Sequence, residues 1–296
     1  MRVGVVILPQ QRWADAARTW RRAEELGFDS AWTYDHLSWR SLRDEPWFAT
    51  VPTLVAASTV TSTITLGTWV ASPNYRHPVP FAKELMSLDD ISGGRFVLGV
   101  GSGGSGYDAT VLGTDPLPRA VRTRRFEEFV TLLDLLLRQP ATTWRGEHFA
   151  AHEARMLPGG PSAPRLPFAV AANGPRGMAL AARLGGGWVT TGPARDEADD
   201  RPDALDAWWR GVEDLCARFD KALDAVGRAR AEPRRYLSVD VGRYALSSVD
   251  VFLDAHERAR ALGFTDLVTH WPRAAGVYAG SEAVLEAVAA RLPSLG

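Results

Sequence analysis

The sequence predicts an α/β fold closed as a single (β/α)8 TIM barrel, with rim insertions after the fourth strand and before the fifth. Three observations predict it. Short apolar, β-branched runs alternate eight times with longer helical patterns along the 296 residues, the signature of a parallel α/β architecture. Runs such as Arg95–Gly101 (RFVLGVG) and Phe168–Ala172 (FAVAA) are continuously apolar, which suits strands covered on both faces. The first strand leads into Pro9-Gln10-Gln11 and not into an early GxGxxG, so the alternative, an open doubly wound sheet, lacks its usual fingerprint.

The elements follow in order. Val3–Pro9 is an apolar strand stopped by proline, and the helix Trp13–Leu26 ends at Gly27. Ser30–Asp35 is the second strand, followed by the helix Pro52–Val60. Ile64–Ser72 is the third; it must stop near Ser72, because three prolines, Arg76 and His77 crowd the nine residues Ser72–Pro80 and proline cannot donate to a ladder. The helix Val79–Ile91 then ends at Gly93, and Arg95–Gly101 precedes the helix Ala120–Leu137. Phe168–Ala172 pairs with the helix Gly177–Leu184, which ends at Gly185, and Gly187–Thr191 with Ala204–Val226. Tyr236–Asp240 leads to Ser248–Leu262, stopped by Gly263, and Asp266–His270 to Glu282–Arg291. Glycine after a helix is the usual terminator. Two segments, 102–118 and roughly 139–167, exceed ordinary loop lengths and are expected to act as lids or rims. No repeat or linker divides the chain, so residues 1–296 are expected to form one domain.

Composition narrows the function. With 34 basic and 35 acidic residues and a net charge of −1, there is no electrostatic case for nucleic acid or an anionic membrane as partner. Cys216 is the only cysteine, which excludes a disulfide framework and a cysteine-rich zinc site. The start runs straight into VGVVILP without a cleavage pattern, and no apolar run approaches a membrane helix, so a cytoplasmic location is expected. No metal site is expected: His148 and His152 are spaced i, i+4 but lack the glutamate of an HExxH motif. No GxSxG elbow marks a serine hydrolase.

A parallel barrel carries its active site at the carboxyl ends of its strands. Those ends supply Tyr34-Asp35-His36, Ser72-Pro73-Asn74 with Arg76-His77, Gly101-Ser102-Gly103-Gly104, Asn173-Gly174-Pro175-Arg176, Thr190-Thr191-Gly192 and His270-Trp271. His36 beside Asp35 is a candidate proton donor or acceptor, since imidazole titrates near neutrality. The glycine-rich stretch GVGSGGSG lets backbone approach a planar ring or an anion, and without a P-loop lysine it does not point to a nucleoside triphosphatase. The helix that begins after Asn173-Gly174-Pro175 offers free N–H groups to an anion, with Arg176 as a supplement. Trp32 and Trp39 bracket the second strand end and are candidate walls for an aromatic ligand. Trp20, Trp208 and Trp209 are expected to pack in the helical shell or on an oligomer face.

These strand ends resemble the luciferase-like monooxygenase superfamily, whose barrel enzymes use FMN or the deazaflavin coenzyme F420. The resemblance rests on AEELGFDSAWTYDHL, LGTWVASPNYRHP, ISGGRFVLGVGSG, AANGP followed by GGGWV, and GFTDLV, all in register along the chain. It implies a non-proline cis peptide at Trp69–Val70, in a bulge formed by Trp69, Val70, Ala71 and Ser72 that presses on the middle ring of the cofactor. It implies a catalytic role for His36 and Asp35, a cofactor edge along Gly101, Ser102 and Gly103, a phosphate-side loop at Ala172, Asn173, Gly174 and Pro175, and further contact at Thr191 and Gly192. The implied activity is F420-dependent hydride transfer to or from a small organic substrate. The alternatives are an FMN-dependent two-component monooxygenase served by a separate reductase, and a flavin-binding protein without turnover, which a pocket plugged by the long loops would favour. Homodimers are common in the family. Two departures, Gly104 in place of the sugar-phosphate dehydrogenases' glutamate and Pro193-Ala194-Arg195 in place of their lysine, argue against a sugar-phosphate substrate. The second-strand end also differs from that of the light-emitting branch.

Overall fold

A computed structural model describes residues 1–195, 201 and 203–295. Residues 196–200, 202 and 296 of the expected 1–296 domain lie outside the described residues. Eight parallel strands close into a barrel: β1 (Arg2–Val6), β2 (Ser30–Thr33), β3 (Thr65–Thr68), β4 (Phe96–Val100), β7 (Phe168–Ala171), β8 (Gly187–Thr190), β9 (Arg234–Ser238) and β10 (Asp266–His270), with β10 pairing back onto β1. The helices α1 (Trp13–Glu25), α2 (Thr50–Val60), α3 (Pro78–Ile91), α4 (Arg119–Arg138), α5 (Pro175–Leu184), α6 (Ala204–Asp224), α7 (Val249–Ala261) and α8 (Glu282–Ala289) cover it outside. Seven of the eight strands end one to four residues before their apolar runs, and β10 ends at His270 as expected. Trp32, Trp69, Val97, Tyr236 and Val268 fill the barrel interior, and a larger apolar layer packs between sheet and helices. Among the described residues no helix is long and apolar enough to cross a membrane.

Helix ends follow the residues that cap them. Gly27, Gly93 and Gly263 take left-handed φ of 81°, 66° and 79° after α1, α3 and α7, conformations that cost a side chain but not glycine. Gly185 departs from that expectation: with φ −76° and ψ 133° it is extended, and it leads into β8 with only Gly186 between. Glu24, near the end of α1, accepts hydrogen bonds from the backbone N–H groups of Ser62, Thr63 and Ile64. Partial burial alone would raise its pKa, but these N–H groups outweigh it and lower the value from 4.5 to about 2. A depressed carboxyl stabilises the fold above its unfolded pKa, and that contribution is lost as pH falls through the folded value. Glu24→Gln is therefore expected to flatten the acid limb of stability between pH 4.5 and about 2, read from urea midpoints across that range.

The 139–167 segment corrects the sequence reading. It is not a loop over the barrel mouth but carries an antiparallel hairpin, β5 (Ala141–Arg145) and β6 (Ala150–Arg155), with a register shift between Thr142 and Trp144. Thr142, Thr143 and Trp144 give it β-prone residues, and Gly146 forms the turn. Glu128 of α4 fixes the hairpin, accepting from Trp144 Nε1 at 3.1 Å and from the backbone N–H groups of His148 and Phe149 at 2.9 Å. That anchorage holds it against the helix layer.

Candidate active site

The bulge on the third strand sets the floor. Pairing between β3 and β2 runs to Thr68, the Trp69–Val70 peptide is cis, and Ala71 rejoins β4 by a single bridge to Val100. The cis bond lies where the family resemblance implied it. The Val70 side chain lies over Gly99 and Gly101: a Cβ would stand 3.1 Å from Val70 Cγ1 at Gly99 and 2.8 Å from Cγ2 at Gly101. At Gly103, with φ 71°, a Cβ would overlap the Asn74 amide. Gly101 and Gly103 line the cavity, whereas Gly99 lies beneath the floor, where a Cβ would overlap the Thr68 carbonyl oxygen.

Above that floor is a cavity of about 890 Å3. Trp69, Val70, Ser72, Gly101, Ser102, Gly103, Ala172, Asn173, Gly174, Pro175 and Thr191 all line it, as does His36. Three expected site residues do not. Asp35 is completely buried, with its carboxylate gripped by Arg76 at 2.6 Å through both Nε and Nη2. Both lie just past the end of β2, where Asp35 turns to Arg76 and positions the turn while His36 faces the cavity. Ala71 is buried beneath the floor. Gly192 accepts the Asn173 side-chain N–H at 2.8 Å, locking the ends of β7 and β8 together. Trp32 is also inside the barrel core, hydrogen-bonded to Ser30, whereas Trp39 does line the cavity. Trp20, Trp208 and Trp209 are buried within the chain's own core.

The walls differ from expectation. No residue of 139–167 reaches the cavity, and of 102–118 only Ser102, Gly103 and Gly104 do. Further walls include Trp39 and Arg40 after β2, Arg119, Arg122, Thr123 and Phe126 at the start of α4, and Tyr278 after β10. At one end, Gly174 caps α5 and Pro175 opens it; its free N–H groups, with Arg119 and Arg122 nearby, form an anion-accepting end. Arg176 lies there too, but it is paired with Glu127.

Two proton-handling groups meet at the other end. His36 Nδ1 is hydrogen-bonded to Asp108 Oδ2, and Asp108 Oδ1 also accepts the Leu37 N–H at 2.7 Å. With the carboxylate accepting an Nδ1–H, Nε2 is the ring atom left to exchange a proton. His270 Nδ1 lies 2.6 Å from Asp240, and its Nε2 lies 2.8 Å from the Tyr34 hydroxyl, which is 3.1 Å from that of Tyr278. Tyr278 stacks on the His270 ring at 3.6 Å. Burial holds the Tyr34 phenol well above its ordinary pKa, so it remains a neutral hydroxyl.

Sequence reasoning missed Asp108, Asp240 and Tyr278. Asp108 lies 72 positions from His36, and no spacing rule joins them. Asp240 ends a run assigned as strand, a placement that could have drawn attention to it. Among the described residues no cluster of three metal-ligating side chains occurs.

A family model described as luciferase-like monooxygenase matches residues 1–241. The chain is 32% identical over 241 residues to 4-hydroxyprotoasukamycin monooxygenase of Streptomyces nodosus subsp. asukaensis, covering 80% of this chain and 61% of that protein. It is 35% identical over 191 residues to the F420-dependent glucose-6-phosphate dehydrogenase of Intrasporangium calvum, covering 62% of this chain and 56% of that one. The matched region thus spans about three-fifths of each of these relatives. In fold, it is similar to an F420-dependent secondary alcohol dehydrogenase solved with an F420-acetone adduct, with a TM-score of 0.80, 17% identity, and 100% and 99% of the two chains covered.

Proposed function

The chain belongs to the luciferase-like monooxygenase family, and from that premise we propose that it is an F420-dependent oxidoreductase moving a hydride to or from a small organic substrate. The observation that carries the reading is one cavity combining a flat glycine–valine floor with the imidazole of His36, held from behind by Asp108. The residues fit such a cofactor. Gly101 and Gly103 leave room for a planar ring beside Val70, and the α5 N-terminus with Arg119 and Arg122 suits a phosphate on its chain. When bound, the cofactor supplies or accepts the hydride.

The chain's own groups handle protons and orientation. His36 Nε2 gives or takes the accompanying proton, with Asp108 fixing the tautomer as a positioning residue. Tyr34 and Tyr278, backed by His270 and Asp240, offer hydroxyls to an oxygen on the substrate, which favours an alcohol or carbonyl compound. Gly104 and Pro193-Ala194-Arg195 are the departures from the resemblance that argue against a sugar phosphate, so the substrate in the name of the Intrasporangium calvum relative is not carried over.

The FMN-dependent monooxygenase reading is favoured by the relative from Streptomyces nodosus; it requires a separate reductase to deliver reduced flavin. The reading as a flavin-binding protein without turnover is disfavoured, because the long loops leave the cavity open. A cytoplasmic homodimer completes the proposal, its assembly checked by sedimentation.

The deciding experiment titrates the purified protein with F420 and with FMN, following tryptophan fluorescence. F420 is expected to bind at least about tenfold more tightly, roughly 1.4 kcal/mol; tighter FMN binding would transfer the reading to the monooxygenase and make oxygen uptake the next assay. Gly101→Ala is expected to push Val70 into the cavity. Overpacking of this kind costs about 1–3 kcal/mol, so cofactor affinity should fall by about tenfold or more in the same titration.

A further inference from the structure

A second cavity, of about 500 Å3, lies on the far side of Arg122, between the turn before α3, the start of α4, the tip of the β5–β6 hairpin and the 109–117 loop. Its lining is rich in cationic and N–H-bearing groups: Arg122, Arg125, His77 and His148, with Phe149 between them. Arg76 also lines it, but that charge is already matched by Asp35 and Glu84. The other two guanidinium groups are not matched. Among the described residues Arg125 has no carboxylate partner; it lies 5.4 Å from the Phe149 ring centroid, and burial alone lowers its pKa. Arg122 donates to the Leu117 carbonyl at 3.1 Å, and its Nε is buried without a partner. Asp115 is the acid on the lining, and it is exposed to solvent.

The two imidazoles add ring nitrogens to the lining. His77 Nδ1 accepts the Val79 N–H at 3.2 Å, so in the neutral ring the hydrogen is on Nε2. His148 Nε2 is buried without a hydrogen-bond partner and stands 3.6 Å from Glu147. Partly buried guanidinium groups without counter-charge are unfavourable unless a ligand supplies the charge, and arginine's fork geometry matches phosphate and carboxylate oxygens.

We propose that this second cavity binds a small oxyanion, a phosphate or carboxylate group, held by Arg122 and Arg125, with His77 and His148 as supporting donors. Occupancy reaches the first cavity by two routes. Arg122 lines both cavities, and the 109–117 loop continues directly from Asp108, which holds His36. A bound anion therefore braces the loop behind the proton-exchanging imidazole. The anion site itself stands on the charge balance of the second cavity; only its effect on His36 rests on the proposed function.

The test titrates the full chain, without cofactor, with inorganic phosphate and separately with succinate, replacing chloride at constant ionic strength. Calorimetry and the melting midpoint are followed together. The expected result is saturable binding of at least one of the two ions with a raised midpoint, weakened about tenfold or more in Arg125→Gln and in His148→Gln. The ion that binds more tightly names the source of the oxyanion. In the absence of either ion, Arg125→Gln should be at least as stable as the parent, because it removes an unmatched charge. Absence of saturable binding would overturn the proposal. So would binding that survives Arg125→Gln but disappears in Arg119→Gln, since that places the anion in the first cavity.

Discussion

Asp35→Asn is expected to destabilise the fold by about 3–5 kcal/mol, the loss typical of removing one partner from a buried ion pair. The Asp35 side chain has no exposure and that of Arg76 only 12%. The carboxylate receives two charge-assisted hydrogen bonds of 2.6 Å in the bidentate geometry that suits arginine. Arg76 also stands 4.1 Å over the Phe81 ring and 2.8 Å from Glu84. An amide at position 35 keeps the shape but leaves a guanidinium buried with only the half-exposed Glu84 to compensate it. The double variant Asp35→Asn/Arg76→Met removes the stranded charge and should recover much of the loss. Urea unfolding of the three proteins measures both effects. A loss below about 1 kcal/mol, the range of exposed pairs, would mean that water replaces the carboxylate and that the pair does not hold the turn.

The same pair explains what was and was not legible in the sequence. The barrel could be read because local signals agreed with one another: continuous apolar runs, glycine after helices, and prolines that end the third strand. Strand ends then named most of the cavity floor, since a parallel barrel brings those ends together whatever the loops do. Asp35 and His36 could be named but not assigned separate roles from adjacency alone. Past the end of β2 the chain sends one to Arg76 and the other to the cavity. Asp108 and Tyr278 come from distant loops, and tertiary contact alone introduces them to the site; Asp240 directly follows β9, so its strand-end place was the one available signal. The hairpin at 141–155 was hidden for another reason. It lies in a long interval between barrel elements, where a barrel pattern leads one to expect rim loops, and its anchor Glu128 sits on a helix whose own pattern gives no hint of a bound sheet.

His36→Ala is expected to slow the proton-coupled step by roughly 10²–10⁴-fold, the usual range for lost acid–base help, while cofactor affinity is retained. Affinity should persist because the floor and the anion-accepting end are built from Val70, the glycines and the α5 N-terminus, none of which His36 holds. Asp108→Asn separates positioning from chemistry. An amide can still hold the ring by hydrogen bonding but no longer sets a carboxylate behind it, so the loss should be smaller than in His36→Ala. Both variants are measured against the parent by stopped-flow oxidation of bound reduced F420 with simple ketones as the hydride acceptors. Turnover unchanged in His36→Ala would remove the imidazole from the reaction. The adjacent line of Asp240, His270, Tyr34 and Tyr278 would then be the remaining proton path into the same cavity, and Tyr34→Phe would be expected to carry the loss instead.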